Sequence, residues 1–350
     1  MTFRAALAAV AFASATSCAT TGVSTTGALP VAAHATAAAP VATGPAIPAD
    51  LHGEPLALLP TGPAMWARVD VARARTSGHW PTLIALLHRE ASTELRDMER
   101  DLGFDPLATA EMLALGLYVA PGATVSTEHA VWPLIYVRAR VDRAAILAAA
   151  RTNARTDDPL TERSSGAFRY VSNRQRAYAF PADDVVLMFD PALLHRVMAQ
   201  LDGTARSSVV TDARFERLWH EIGGAQGAVR VAADLASMRA TRAVSETAQD
   251  PSAALTQAVA WGDVPGELNL RIAGLSGTDE GAARVVSAVD EVRHDLLGRW
   301  EIRLLGLGRL FQQGVTAVHE GRVLRVQVHA DDSEVRRVTT IVNILRAVSL

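Results

Sequence analysis

Ten histidines, one cysteine and no lysine set the limits of what this 350-residue chain can do chemically. All 34 basic residues are arginine. Schiff-base chemistry, a P-loop lysine and a Ser-Lys pair are therefore excluded. The histidines show no HExxH pattern, and no two lie four apart on a helix, the spacing that puts two imidazoles on one metal. His220-Glu221, beside Trp219, is the densest local cluster, but adjacent helical residues point apart. His319 and His329 flank a hairpin at its two ends and are expected to be separate surface residues. Gly274-Leu275-Ser276-Gly277 lacks the spacing of a nucleophile elbow and is expected to be a turn. Gly306 and Gly308 do not extend to a dinucleotide fingerprint. Asp183-Asp184 and Asp157-Asp158-Pro159 are expected in turns, where aspartate serves the backbone. The residues thus point to no catalytic, cofactor-binding or metal site, and the expectation leans against an enzyme.

The single cysteine, Cys18, excludes an internal disulfide and any multi-cysteine metal site. Its setting is informative. Arg4 is the only charge before Asp50. Residues 5–13 are a short apolar run, and Ala15-Thr16-Ser17 lead into Cys18. A basic start, a short apolar core and small residues define a secretory signal, and the run is too short to span a bilayer. Residues 19–49 carry no Arg, Asp or Glu and are rich in Ala, Thr and Pro. Such a composition cannot build a core, so 18–50 is expected to be a disordered tether. Two processing routes fit. Cleavage before Cys18 leaves a residue for lipid attachment; cleavage after Ala15, following Ala13-Ser14-Ala15, leaves a soluble periplasmic or secreted protein. The Ala-Thr-Ser-Cys stretch resembles the lipobox of bacterial lipoproteins, with Ala15 where that family favours Leu. The resemblance implies lipidation of Cys18 and, with Ala19 following, the outer membrane.

The elements that position the remaining residues begin near residue 55. Met65, Ala67, Val69 and Val71 alternate as one face of a strand. A helix is expected from Trp80, with Leu83, Leu87, Ala91, Leu95 and Met98 on one side. Strands are expected at 113–120 and 132–141, and Asp105-Pro106, Asp142 and Asp190-Pro191 read as helix starts. In the next hairpin, a turn at Pro181–Asp184 puts Tyr178, Phe180, Val185 and Leu187 on one face. A similar order follows: a strand at Val229–Leu235, strands at 255–262 and 268–272, and a helix capped by Thr278 with Val285, Val286, Val289 and Val292 inward. A hairpin turning at Glu320-Gly321 would pair Ala317 with Leu324 and Val315 with Val326. A capping box then runs from Asp331 to Glu334 into a helix with Val335, Val338, Ile341 and Leu345.

The expected fold is α+β: antiparallel sheets with packed helices, and a duplicated strand-helix-strand-strand-helix-hairpin-helix unit. The division is a signal peptide at 1–17, the tether at 18–50 and a folded domain at 51–350, with pseudo-repeats at about 55–203 and 211–350. Asp70-Val71-Ala72-x-x-Arg75 and Asp234-Leu235-Ala236-x-x-Arg239 carry the repeat. The pattern resembles a group of exported bacterial proteins known as a domain of unknown function, which implies no catalytic residues. Trp66 and Trp132 fall on the strand positions opposite the assigned core face. Either they form an exposed binding surface, or helices cover that second face as well.

Net charge is −3 and no basic cluster stands out, so no nucleic-acid partner is expected. The expected partners are the membrane, through the N-terminal lipid, and another envelope protein. The functional expectation is a lipid-anchored, non-catalytic interaction or structural module of the cell envelope. The alternatives are an exported hydrolase with dispersed site residues and a carrier of a small apolar ligand.

Overall fold

The computed structural model describes residues 54–337, apart from short stretches at 79, 82–83, 85–87, 89–91, 124–129, 167, 206, 225–226, 241–250, 264–266 and 299–306. The chain enters through a single 3-10 turn, Pro55–Leu58, whose leucines are buried at once. Then come β1 (Met65–Asp70), α1 (Val71–Arg75), α2 (Ser92–Leu102), α3 (Pro106–Thr109), β2 (Met112–Val119), β3 (Val131–Arg138) and α4 (Arg143–Asn153). Two hairpins follow, β4 (Thr161–Ser165) with β5 (Phe168–Ser172), and β6 (Ala177–Ala182) with β7 (Val185–Phe189). Helices α5 (Leu194–Leu201) and α6 (Glu216–Glu221) lead to β8 (Val229–Asp234), α7 (Leu235–Ala240), β9 (Leu255–Asp263), β10 (Leu268–Ser276), α8 (Asp279–Gly298), β11 (Val315–Glu320) and β12 (Val323–Ala330).

The twelve strands of the described residues form one antiparallel sheet, ordered β11-β12-β10-β9-β8-β1-β2-β3-β7-β6-β5-β4. At its middle, β1 pairs with β8, Met65 opposite Ala233 and Arg68 opposite Arg230. Outward from this pair the order is β2, β3, β7, β6 on one side and β9, β10, β12, β11 on the other. The hairpin β4-β5 is additional on the first side. Duplication is a proposal that this order accommodates.

Local chemistry starts the helices where aspartate or threonine supplies an acceptor. The Asp105 carboxylate accepts from the Leu107 and Ala108 amides ahead of Pro106, and Asp142 accepts from Ala144. Asp190 does the same for Ala192 ahead of α5. The capping box is formed in both directions, Asp331 N–H to Glu334 at 3.0 Å and Glu334 N–H to Asp331 at 2.9 Å. Thr278 accepts from the Gly281 amide at 3.0 Å, and Asp279 and Glu280 add negative charge to the first turn of α8. Thr278→Ala is expected to lower stability by about 1 kcal/mol. A thermal midpoint unchanged within error would show that the cap is replaceable.

Both sheet faces are covered. On one face, Met65 and Ala67 pack with Val231, Ala233 and Met238, and Ile135, Val137 and Ala139 pack with Ile146 and Ala150 of α4 and Leu102 of α2. On the other face, Trp66, Tyr136, Leu187 and Ala232 pack beneath Leu56, Leu58, Leu59, α5 and α6. This second layer answers the question left open for Trp66, which is 1 % exposed. Trp132 also packs against that core. Further along the same face, Arg271, Gln327, Thr316 and Val318 are exposed.

Three expectations are corrected. The β6-β7 turn is the two residues Asp183-Asp184, and a bulge lies between Ala179 and Ala182. Pro181 has no amide hydrogen to give the ladder. The bulge puts Tyr178 with Val186 and Met188, and leaves Val185 and Leu187 on the opposite face. The β11-β12 hairpin pairs Ala317 with Val326 and Val315 with Val328. Its turn is Gly321-Arg322, because Gly321, at φ +54°, takes the left-handed position. The slip is two residues, so the apolar face is kept. Val292 is 42 % exposed and does not enter the core. In the helix expected from Trp80, Met98 packs as proposed and Leu95 is half-buried, Leu102 adds to the same face, and Leu83, Leu87 and Ala91 lie outside the described residues. So do Val338, Ile341 and Leu345.

Candidate functional site

The side chains that converge are arginines and tryptophans on the second face. Cross-strand pairing builds a row over the middle of the sheet: Tyr136 opposite Ala114, Ala114 opposite Arg68, Arg68 opposite Arg230, Arg230 opposite Trp261, and Trp261 opposite Arg271. Antiparallel partners project to the same side, so all of these face the helical layer.

Trp66, two residues before Arg68, meets Trp219 of α6 with ring centroids 5.7 Å apart. The Arg230 guanidinium lies against both indoles, 5.6 Å from Trp66 and 5.5 Å from Trp219. Each contact is a cation–π attraction, stronger where water is excluded. Arg271 repeats the theme over Trp261 at 5.3 Å, and both donate to the Ile222 carbonyl. Trp219 is therefore a packing residue, and its neighbour His220 is exposed on α6.

One carboxylate serves the two central arginines. Glu54 lies 3.7 Å from Arg68 and 3.4 Å from Arg230. The same carboxylate accepts from the Leu56 amide at 3.3 Å, as the cap of the entry turn. Arg68 and Arg230 are 15 % and 16 % exposed in their side chains, against 35 % for Glu54. Burial lowers the pKa of Arg230, Glu54 opposes that shift and Arg68 reinforces it. Burial likewise pushes the Tyr136 hydroxyl up to about 12, so it remains a donor at every ordinary pH. Four buried donor atoms here make no hydrogen bond: Arg68 Nε, Arg230 Nε, Trp66 Nε1 and the Tyr136 hydroxyl. The arrangement is rich in donors and short of acceptors. It can hold an oxyanion, and its one carboxylate, Glu54, is engaged by the two arginines and the Leu56 amide.

The residues singled out from the sequence are dispersed. His319 Nδ1 lies 3.4 Å from the Gly321 carbonyl, and His329 Nδ1 lies 2.9 Å from Asn269 Oδ1 at the other end of the hairpin. Gly274, Leu275 and Ser276, expected in a turn, are instead the paired end of β10, and Ser276 is buried and donates to the Ala254 carbonyl. Asp158 accepts from the Arg174 amide and Asp157 pairs with Arg155, both backbone and surface roles. Among the described residues no group of three His, Cys, Asp or Glu is arranged to hold a metal. Cys18, Trp300 and Gly306 lie outside the described residues. The depression at Asp290, Glu291, His294 and Gln312, about 790 Å³, is a shallow surface feature along α8.

The fold is thus α+β, built on a single large antiparallel sheet, as expected. No family model matches the chain, and no curated protein matches it. Among solved structures it is similar to TP0453. Crystal form I shares 10 % identity with a TM-score of 0.41, over 82 % of this chain and 96 % of that one. Crystal form III gives 10 % and 0.42 over the same shares. Among the described residues no helix is long and apolar enough to cross a membrane.

Proposed function

We propose that the chain is a lipid-anchored protein of the bacterial cell envelope, held at the outer membrane through Cys18, whose folded domain is a non-catalytic module for binding another envelope protein. The observation that carries this is the setting of Cys18: the only cysteine, placed after a short apolar run and before a segment without charged residues. The chain from Cys18 to Glu54, fully extended at about 3.3 Å per residue, reaches about 120 Å. That is ample to let a domain entered at Glu54 stand clear of a membrane surface. The open end of the second face, where exposed Arg271 lies over Trp261 beside Gln327, Thr316 and Val318, supports the binding half of the reading.

The test is Cys18→Ser with membrane fractionation and mass spectrometry of the N-terminus. The wild type is expected in the membrane fraction with acyl mass on Cys18, and the variant in the soluble fraction. A wild type that starts at Thr16 without lipid, and is soluble, overturns the anchor.

A further inference from the structure

We propose that Arg68 and Arg230 form a carboxylate-binding site, with Glu54 as its built-in occupant. The inference rests on the folded domain and is independent of how Cys18 is processed.

Three observations carry it. First, charge: two guanidiniums with little exposure share one carboxylate, which leaves one positive charge uncompensated in a region where an unpaired charge is costly. Second, geometry: Glu54 approaches at 3.7 and 3.4 Å, well beyond the 2.7–2.9 Å typical of a charge-assisted hydrogen bond. It neutralises the pair without saturating it. Third, unused donors: Nε of Arg230, the Trp66 indole N–H and the Tyr136 hydroxyl are buried and make no hydrogen bond, and Nε of Arg68 faces Glu54 from 3.7 Å, outside hydrogen-bond reach. Trp66 and Tyr136 are 1 % and 0 % exposed, so bulk water does not stand in for a partner.

The asymmetry in mobility suggests how a ligand enters. Arg230 is fixed against two indole rings, and Arg68 stands beside it on the central strand. Glu54 is more exposed and sits at the start of the entry turn, outside any strand or helix. It is the member that can swing into solvent while the arginines stay. An incoming carboxylate would then take both guanidiniums, and the displaced Glu54 would be rehydrated. The class of ligand follows from the occupant: a compact carboxylate, since a glutamate side chain is what the pair already accepts.

The test uses the full chain and sodium acetate, with sodium chloride at matched ionic strength as control. Glu54→Gln removes the competing charge and is expected to bind acetate about tenfold more tightly than the wild type. Binding is read as acetate-specific change in tryptophan fluorescence, since Trp66 and Trp219 touch Arg230, and as a rise in thermal midpoint. Adding Arg230→Gln to that variant should abolish both responses. Glu54→Asp is the companion should Glu54→Gln fold poorly. It keeps the charge but is one methylene too short to bridge both arginines, and should also bind more tightly than wild type. Acetate and chloride acting identically on both Glu54 variants, or a response that survives Arg230→Gln, overturns the proposal and leaves an internal ion cluster only.

Discussion

Replacing Trp66 with alanine is expected to cost the domain about 4 kcal/mol, the range for deleting a fully buried aromatic side chain. Trp66 lies on β1, at the centre of the sheet, and is 1 % exposed. Its ring supports Trp219, which brings α6 onto the sheet, and one side of the Arg230 guanidinium. Alanine would leave a cavity bordered by a poorly compensated arginine, so the hole is not one that neighbouring apolar groups close easily. Urea denaturation followed by far-ultraviolet circular dichroism measures it. Trp66→Phe should recover most of the loss through ring area alone. A loss below about 1 kcal/mol for the alanine variant would show that Trp66 does not organise this layer.

Asp212→Ala carries the second large effect, about 2–3 kcal/mol, toward the lower end for breaking a buried pair because Arg214 is 34 % exposed. Asp212 accepts from Arg214 Nε at 3.0 Å and from its terminal nitrogen at 2.6 Å. The same guanidinium donates to the Pro63 carbonyl at 2.9 Å and approaches Asp234 at 3.6 Å. Pro63 precedes β1 and Asp234 ends β8, so one side chain on the connection between α5 and β8 ties the two central strands together. Tyr118 and Arg196 fasten the same entry segment, by donation to the Pro60 and Thr61 carbonyls. Burial pushes the Asp212 carboxyl up, but the bonds from Arg214 outweigh it and hold the group below the usual carboxylate range. Its stabilisation is therefore complete above the unfolded value near pH 4 and fades as pH falls through the depressed native value. Urea midpoints across that window should converge for wild type and Asp212→Ala. A gap that stays constant down to about pH 2 would show that the carboxylate's charge is not what matters.

What was legible in the sequence is what local chemistry decides. Asp105, Asp142, Asp190 and Thr278 cap helices as their positions suggest, because a cap needs only amides two or three residues away. Strand positions were legible too, but not their surroundings. Alternation separates Trp66 from Met65; it does not say that both neighbours are buried, since that depends on α6 arriving from 150 residues downstream. Hairpin registers slipped for a physical reason: a turn is fixed by one left-handed glycine or one bulge, and composition suggests neither's place to the residue.

The arginine site was not legible at all. Arg68 and Arg230 occupy strand positions that read as solvent-facing, and Glu54 falls ahead of the first recognisable element, where nothing marks it. Their places in the repeated motif gave no signal, since Arg68 precedes Asp70-Val71-Ala72 by two residues and Arg230 precedes Asp234-Leu235-Ala236 by four. Only the antiparallel pairing of β1 with β8, which reverses direction across the seam, brings them opposite each other.

That seam also governs how the molecule is made. Among the described residues β1 is the first strand to be made, yet the neighbour that closes its second edge is β8, which follows seven other strands. Until residue 234 is available, β1 presents an open ladder of amides and carbonyls with Met65, Trp66 and Ala67 uncovered on that side, a template for unintended strand pairing. Non-local closure of this kind makes for slow folding and a long vulnerable interval. The half-made protein is thus the state most in need of a holding chaperone, and truncations ending between β7 and β8 are the ones that should aggregate.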